Sequence, residues 1–147
     1  MIKLLNKIRI AFIVLLLLQI QACGSTENIE IENARIRTPA TINQALGGFM
    51  RVKNNTKKPI ALIEAKADGF KQVMLHETIN KDGMHRMEHR EKIIIPAEGG
   101  VIFQHGSFHI MFMGSMKLYK SGDKIPVTLV FSNGQEKTVS FNVKKPN

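Results

Sequence analysis

The chain has 147 residues, with 21 basic against 12 acidic side chains, eight Met, five His and a single Cys. This length is typical of one domain. A lone Cys excludes an intrachain disulfide framework, a tetrathiolate zinc site and a cysteine-ligated iron–sulfur cluster. With 44% apolar and 22% charged residues, the chain can build a core and does not have the composition of a disordered tail.

Residues 1–22 predict an export signal, because a basic start precedes the apolar run 10–18. That run is too short for a mature membrane span, which needs about 20 apolar residues. Ala22, Cys23 and Gly24 follow in the manner of a bacterial lipobox, in which the Cys is lipidated and becomes the new N-terminus. We therefore expect Cys23 to be a lipid anchor, with ordinary cleavage near Ala22 and an unmodified thiol as the alternative.

The export signal also determines the expected location. Its removal takes away three basic residues and no acidic ones, which lowers the net charge from +9 by three. The remaining positive excess suits an anionic lipid surface or an acidic partner, and scattered Lys residues without an aromatic platform do not predict nucleic-acid binding. Residues 23–28 form a polar tether before a domain at 29–147. We expect an exported protein on the periplasmic side, held at the outer membrane in a Gram-negative cell because Gly24 rather than Asp follows Cys23.

Period-two alternation dominates from residue 29 onward and predicts many short strands. The predicted strands are Ile29–Arg37, Gly48–Asn54, Ile60–Ala67, Gln72–Thr78, Met84–Arg90, Lys92–Ile95, Val101–Gln104, Phe108–Met113, Ile125–Phe131 and Lys137–Val143. Turn signals separate them, and Asn133-Gly134 is a strong hairpin signal. Strands at about ten-residue spacing indicate a single-domain, all-β antiparallel sandwich or barrel, with helix only as a turn near Gly114–Lys120.

The strand 108–113 carries an unusual face. Its aromatic and Ile side chains face the predicted core, which leaves His109, Met111 and Met113 on the opposite side, where exposed strands normally carry polar residues. His109 and Met111 are two residues apart, about 6.6 Å along the strand. Both side chains are therefore within reach of a common ion.

A predicted hairpin supplies a second pair of donors. If its loop is Lys81-Asp82, His76 lies directly across from Met87, with Cβ atoms about 4.5–5.5 Å apart. A bulge with Gly83 in the left-handed conformation would shift that register by one residue. The pattern thus predicts that His76 and Met87 are close together, in either register.

Two imidazoles and two thioethers would form a soft, neutral donor set. Thioethers favour Cu(I), imidazole also suits copper, and Zn²⁺ prefers thiolate, imidazole or carboxylate. Neutral donors leave the charge of Cu(I) uncancelled, which suits a site near the surface. Taken singly, each of these residues has an ordinary interpretation, since Met often fills gaps in a core and His is often a satisfied surface or core residue.

At these residues the chain resembles the periplasmic copper chaperone family PCu(A)C. The family signature is His, ten residues, Met, twenty-one residues, and His-x-Met, and His76, Met87, His109 and Met111 reproduce both intervals. The surrounding segments that also agree include His76-Glu77-Thr78, Ile95-Pro96-Ala97, His109–Gly114 and Val127–Phe131. The resemblance covers about residues 33–143.

This resemblance implies a cupredoxin-like or Ig-like β-sandwich of Greek-key type that binds one Cu(I) near its surface through His76, Met87, His109 and Met111. It implies a monomeric, non-catalytic carrier that delivers copper to an extracytoplasmic acceptor, such as a subunit or assembly factor of cytochrome c oxidase with its CuA centre. The chain departs from the family in three places. It has His105-Gly106-Ser107 where a Pro-Gly-Gly-like turn is usual, no Trp, and no His- or Met-rich tail.

Further side chains near the signature are candidates for secondary contacts. His85 and His89 alternate with Met87, His105 occupies the atypical turn, and Met84 and Met113 flank the ligands. We consider His85, His105 and Met113 as secondary metal contacts. We also consider that one of the extra imidazoles, His85, His89 or His105, helps to capture Cu(II) or to pass copper onward. The other interpretation is that they are solvated imidazoles and apolar padding.

Two other functional classes compete with a copper carrier. An electron-transfer cupredoxin needs a Cys thiolate with two His, and Cys23 lies at the extreme N-terminus. A metal-free, Ig-like envelope lipoprotein acting in protein–protein interaction is the stronger alternative. Catalysis has little support, since no Ser-His-Asp pattern, phosphate loop or HExxH motif can be placed.

Overall fold

A computed structural model describes residues 29–37 and 44–145, so the predicted signal, Cys23 and tether lie outside the described residues. Within those residues it contains ten strands, in the order that alternation predicts. They are β1 Ile29–Arg37, β2 Leu46–Asn54, β3 Ile60–Lys66, β4 Phe70–Lys81, β5 Met84–His89, β6 Ile93–Ile95, β7 Gly99–Phe103, β8 Phe108–Ser115, β9 Lys124–Phe131 and β10 Glu136–Lys144. In this part of the chain there is no apolar helix of the length needed to cross a bilayer.

The strands pair in the order β5-β4-β8-β2-β1-β10-β9-β3-β6, and β7 adds to β2. All pairs are antiparallel except β1 with β10, where Arg35 lies opposite Asn142 in a parallel pair. The expectation of a purely antiparallel sheet is therefore wrong at this one pair. The reason is that the β9–β10 hairpin docks beside the first strand with β10 running in the same direction.

The core forms because the sheet curves over on itself. Phe112 on β8 and Phe141 on β10 are three strands apart in the sheet order, yet their ring centroids are 6.3 Å apart. The Asn54 side-chain amide on β2 donates to the Ile95 carbonyl oxygen on β6 at 3.3 Å. Burying each large apolar side chain stabilises the fold by about 1.5–3 kcal/mol. The predicted all-β, sandwich-like fold is confirmed.

The β4–β5 hairpin has a different register from the one predicted. Its two-residue loop is Asp82-Gly83, with φ of 54° and 76°, as a type I′ turn requires. Lys81 therefore pairs with Met84, and by the same register Met87 lies opposite Thr78. The loop lies one residue later than the predicted Lys81-Asp82, so the partner of each β4 residue moves by two. A shift of two keeps every side chain on its predicted face.

The segment after β8 also differs from its prediction. The strand continues to Ser115, and bends replace the expected helical turn near Gly114–Lys120. The Met116 N–H donates to the Gly69 carbonyl at 3.0 Å, and the Ser115 hydroxyl donates to the Lys117 carbonyl at 2.5 Å. These hydrogen bonds give backbone groups of this segment their partners without a helical turn.

Replacing Gly83 should destabilise the hairpin that carries the candidate site. Gly83→Ala is expected to lower the free energy of unfolding by about 1 kcal/mol, because an L-residue is disfavoured at a φ of 76°. Denaturant unfolding measures the change. Asp82→Asn is the control, since Asn tolerates the left-handed conformation and Asn-Gly is a preferred type I′ pair. Equal stability of Gly83→Ala and the wild type would contradict this account of the turn.

Candidate metal centre

Three neighbouring strands place three imidazoles in one row. On β4, His76 lies opposite His89 of β5 on one side and opposite His109 of β8 on the other. The ring centroids are 5.9 Å apart for His76 and His89, and 5.7 Å apart for His76 and His109. The edge strand β5, its neighbour β4 and the inner strand β8 thus each contribute one imidazole to the same face of the sheet.

A pair of thioethers lies in the adjacent row. Met74 on β4 is directly opposite Met111 on β8, and both are two residues from an imidazole of the first row. His76, His109, Met74 and Met111 therefore occupy a two-by-two block on one face of β4 and β8. Met74 was not predicted from the sequence, although it shares the parity of His76, because the β4–β8 pairing joins segments that are distant in the chain.

Met87 lies outside this block, on the opposite side of the imidazole row. It opposes Thr78, so it is a diagonal neighbour of His76, and such pairs are typically about 7–8 Å apart. Its side chain is 62% exposed on β5, the edge strand of the sheet. Among the four signature residues, the structure brings His76, His109 and Met111 into contiguous positions and leaves Met87 at the open edge.

The remaining candidates lie further from the imidazole row. His85 opposes Asn80 near the hairpin turn, and Met113 opposes Gln72 at the far end of the β4–β8 pairing. His105 lines a groove of about 990 Å³ together with residues of β1 and β10. His85 and Met113 share the face of the site, whereas His105 belongs to another part of the surface.

A backbone contact fixes the orientation of the His109 ring. It is only 4% exposed, and its Nδ1 lies 3.0 Å from the Ser107 carbonyl oxygen. Because a carbonyl only accepts, Nδ1 must carry the proton, which leaves a lone pair on Nε2. This is the usual arrangement by which an outer contact fixes the tautomer of a metal-binding His.

The buried ring nitrogens of the inner pair are unsatisfied. Within the described part of the chain, Nδ1 and Nε2 of His76 and Nε2 of His109 are buried without a hydrogen-bond partner. A buried polar atom without a partner is costly and is rare in folded proteins. Three such atoms on two adjacent imidazoles indicate a site whose partner is a ligand.

Burial and the neighbouring imidazoles also keep His76 neutral. Its pKa is lowered from the usual 6.5, first by desolvation and then by repulsion from His109 and His89. A neutral imidazole is the form that binds a metal. His76 therefore has no proton to lose before it can bind a metal at neutral pH.

The candidate site combines two types of donor, imidazole nitrogen and thioether sulfur. Across residues 29–37 and 44–145, no group of three or more His, Cys, Asp or Glu is arranged to hold a metal. What the block offers is two imidazoles beside two thioethers. Such a set suits a soft, monovalent ion better than Zn²⁺ or Ca²⁺.

An aromatic ring closes the inner side of the block. Gly47 on β2 opposes Met111, and a Cβ at Gly47 would lie 2.9 Å from the ring of Phe49. The guanidinium of Arg35 stacks over the same ring at 5.6 Å. The ring of Phe49 thus separates the thioether side of the site from the basic groove along β1 and β10. Phe49 was not predicted from the sequence as part of the site.

The fold and this donor set define an all-β sandwich domain with a candidate soft-metal centre on the β5-β4-β8 face. Two solved structures are similar to it. The copper-bound PCuAC domain from PmoF2 is 25% identical, covers 81% of this chain and 94% of its own, and gives a TM-score of 0.69. The CuI-bound DR1885 of Deinococcus radiodurans is 27% identical, covers 86% and 85%, and gives a TM-score of 0.66.

Residues 29–143 match the sequence profile of the family described as "Putative lipoprotein LpqE-like". The chain belongs to this family, and its similarity to PCuAC domains confirms the resemblance inferred from the signature. The "Putative lipoprotein Lxx21020" of Leifsonia xyli subsp. xyli is 35% identical over 97 residues, 65% of this chain. The "Uncharacterized protein RP573" of Rickettsia prowazekii is 27% identical over 100 residues, 67% of this chain. The matched regions span 58% and 55% of those two relatives.

Protonation of His76 should destabilise the metal-free protein. Because its folded-state pKa is lowered, the unfolded chain binds the proton more readily, and stability is complete above the usual pKa of 6.5. Stability should then fall as the pH drops from 6.5 toward the lowered pKa. Thermal unfolding of wild type and His76→Gln between pH 8 and pH 5 would measure this, at about half-unit steps. A wild-type curve parallel to that of His76→Gln would contradict the prediction.

Proposed function

We propose that the protein is a copper carrier that binds one Cu(I) with His76 and His109 as its central ligands. The observation that carries the proposal is the adjacent pair of imidazoles of His76 and His109, which have three buried ring nitrogens without a protein partner. The copper-bound PCuAC domain and CuI-bound DR1885 support copper as the ion. The role is binding and transfer rather than catalysis.

The thioethers complete the ligand set in this proposal. Met111 is two residues from His109 on the same strand face and supplies one sulfur. Met87, the remaining member of the signature, supplies the second by folding its side chain inward from the exposed edge. Met74 lies opposite Met111 and provides a further sulfur within the block. Thioethers are neutral and polarizable, so they favour Cu(I) over harder ions.

A carrier must also release its ion, and the position of the site favours release. The site lies toward the edge of the sheet, where β5 has no neighbour on its outer side among the strands that the structure describes. An incoming ligand can therefore replace Met87 without opening the core. We propose that the acceptor is an extracytoplasmic copper protein, such as a subunit or assembly factor of cytochrome c oxidase, as the family resemblance implies.

The N-terminal segment would keep this carrier at a membrane. Matches to a lipoprotein family and to a named lipoprotein support lipidation of Cys23 after removal of residues 1–22. Only residues 24–28 would then separate the lipid from β1 at Ile29. We propose a periplasmic location, at the outer membrane in a Gram-negative cell.

Copper binding can be tested with the soluble chain that begins after Cys23. We expect one Cu(I) per chain in competition against a chromophoric chelator. Because loss of an outer contact alone costs about 10–100-fold in metal affinity, the His76→Ala, Met87→Ala double variant should lose about 100-fold or more. His105→Ala is the control, since this imidazole lines the groove along β1 and β10.

Two results would contradict the copper proposal. One is a wild type that fails to compete with the chelator, which would leave the metal-free envelope lipoprotein as the function. The other is equal binding by the wild type and the double variant. A comparable loss in His105→Ala would show instead that surface imidazoles bind the ion without a defined site.

The anchor has its own test. Cys23→Ser should move the full-length protein from the membrane fraction to the soluble fraction, because serine has no thiol to lipidate. Incorporation of labelled fatty acid should disappear with it. A variant that stays in the membrane fraction and remains labelled would contradict the lipobox assignment.

A further inference from the structure

His89 has a position that the copper signature does not explain. It is the last residue of β5, it is exposed, and it lies directly opposite His76 with a ring-centroid distance of 5.9 Å. The signature residue on the same strand is Met87, two positions earlier and on the same face. His89 is therefore an additional nitrogen donor at the solvent side of the site.

The imidazole of His76 lies between two other imidazoles at similar distances. His76 has His109 at 5.7 Å on the inner side and His89 at 5.9 Å on the outer side. The inner neighbour is buried, whereas the outer neighbour is exposed. Neither nitrogen of His76 has a partner in the described structure, so the one that carries the lone pair is free to bind an ion between the two neighbouring rings.

The backbone at His89 is held in place from the other face of the hairpin. The N–H of Arg90 donates to the Leu75 carbonyl at 2.8 Å, and the Arg90 guanidinium donates to the Glu77 carboxylate at 2.7 Å. A further ion pair joins Arg90 to Glu88 at 3.3 Å. These contacts fix the end of the edge strand while leaving the His89 ring on the copper side.

We propose that His89 is the hand-over ligand, which accepts copper from the inner site by replacing His109 around the shared His76. The bond from copper to the His109 nitrogen breaks, and a bond to a His89 nitrogen forms. Copper stays Cu(I) throughout, so no electron is transferred, and each neutral imidazole keeps its ring proton. In the outer position, His76, His89 and Met87 hold the ion where an acceptor approaches the edge strand.

The inner and outer positions would differ in access rather than in donor chemistry. Both combine two imidazoles with thioether sulfur, so the ion meets the same donor types in each, but the outer position lacks Met111 and holds copper more weakly. His109 is 4% exposed, whereas Met87 is 62% exposed, so only the outer position is open to an incoming ligand. His85 is not placed beside His76 in this way, because the residue directly across the hairpin from it is Asn80.

This inference depends on the proposed copper function, and a transfer experiment separates the two. The soluble chain is loaded with one equivalent of Cu(I), and stopped-flow absorbance follows release to excess bicinchoninic acid. His89→Ala should keep its equilibrium affinity within about threefold of the wild type. Its release rate should fall about tenfold, as expected when an intermediate ligand is lost.

Matched variants distinguish a ligand from a structural residue. His85→Ala removes another exposed imidazole from the same strand face and should release copper at the wild-type rate. His89→Met supplies a different soft donor at the same place and should recover most of the rate. His89→Gln keeps much of the size of the side chain but should stay slow.

Four results would overturn the hand-over role. The first two are a wild-type release rate in His89→Ala and an equal slowing of release in His85→Ala. The third is equal release rates for His89→Met and His89→Gln. The fourth is an affinity loss in His89→Ala as large as that of His109→Ala. The last would make His89 a resident ligand. If the wild type binds no Cu(I), the proposed copper function is refuted. If the wild type binds Cu(I) and His89→Ala releases it at the wild-type rate, only the hand-over step is refuted.

Discussion

The antiparallel pairing of β4 with β8 is the constraint on which the site depends. It places His76 opposite His109 and Met74 opposite Met111, so two imidazoles and two thioethers form one block. No loop is needed to assemble these donors, because adjacent rows of a sheet have a fixed spacing. A ligand set built on paired strands is also held more firmly than one built on loops.

This arrangement has a cost in the metal-free protein. Three ring nitrogens of the adjacent imidazoles of His76 and His109 are withdrawn from water and have no partner in the described structure. Desolvation and mutual repulsion lower the pKa of His76, which keeps it neutral. The same features favour a bound cation, since the metal satisfies the nitrogens and no proton must leave first. In the proposed copper carrier, affinity for the ion would thus be obtained at the expense of stability in its absence.

In the proposed carrier, the position of the site at one side of the sheet would connect copper binding to copper release. β8 lies within the sheet and buries His109, whereas β5 is an edge strand and exposes Met87. A single row of imidazoles therefore runs from the interior to solvent across three strands. Proteins often protect edge strands, because the free edge is a place where another chain can pair. Here the free edge is also where an acceptor would meet the ion.

The sequence by itself determined the strands, their faces and the soft donors. Alternation located all ten strands, since side chains of period two report which face is buried. It also separated His109 and Met111 from the core side of their strand. The hairpin register was missed because Asp82-Gly83 and Lys81-Asp82 are both plausible two-residue loops, and only positive φ at both residues of Asp82-Gly83 decides between them. The hairpin register set His76 beside His89. Tertiary structure alone decided that β4 pairs with β8, which brought in Met74 and set His76 beside His109. That pairing joins segments more than thirty residues apart and rests on closure of the whole sheet around its core, which no local pattern encodes.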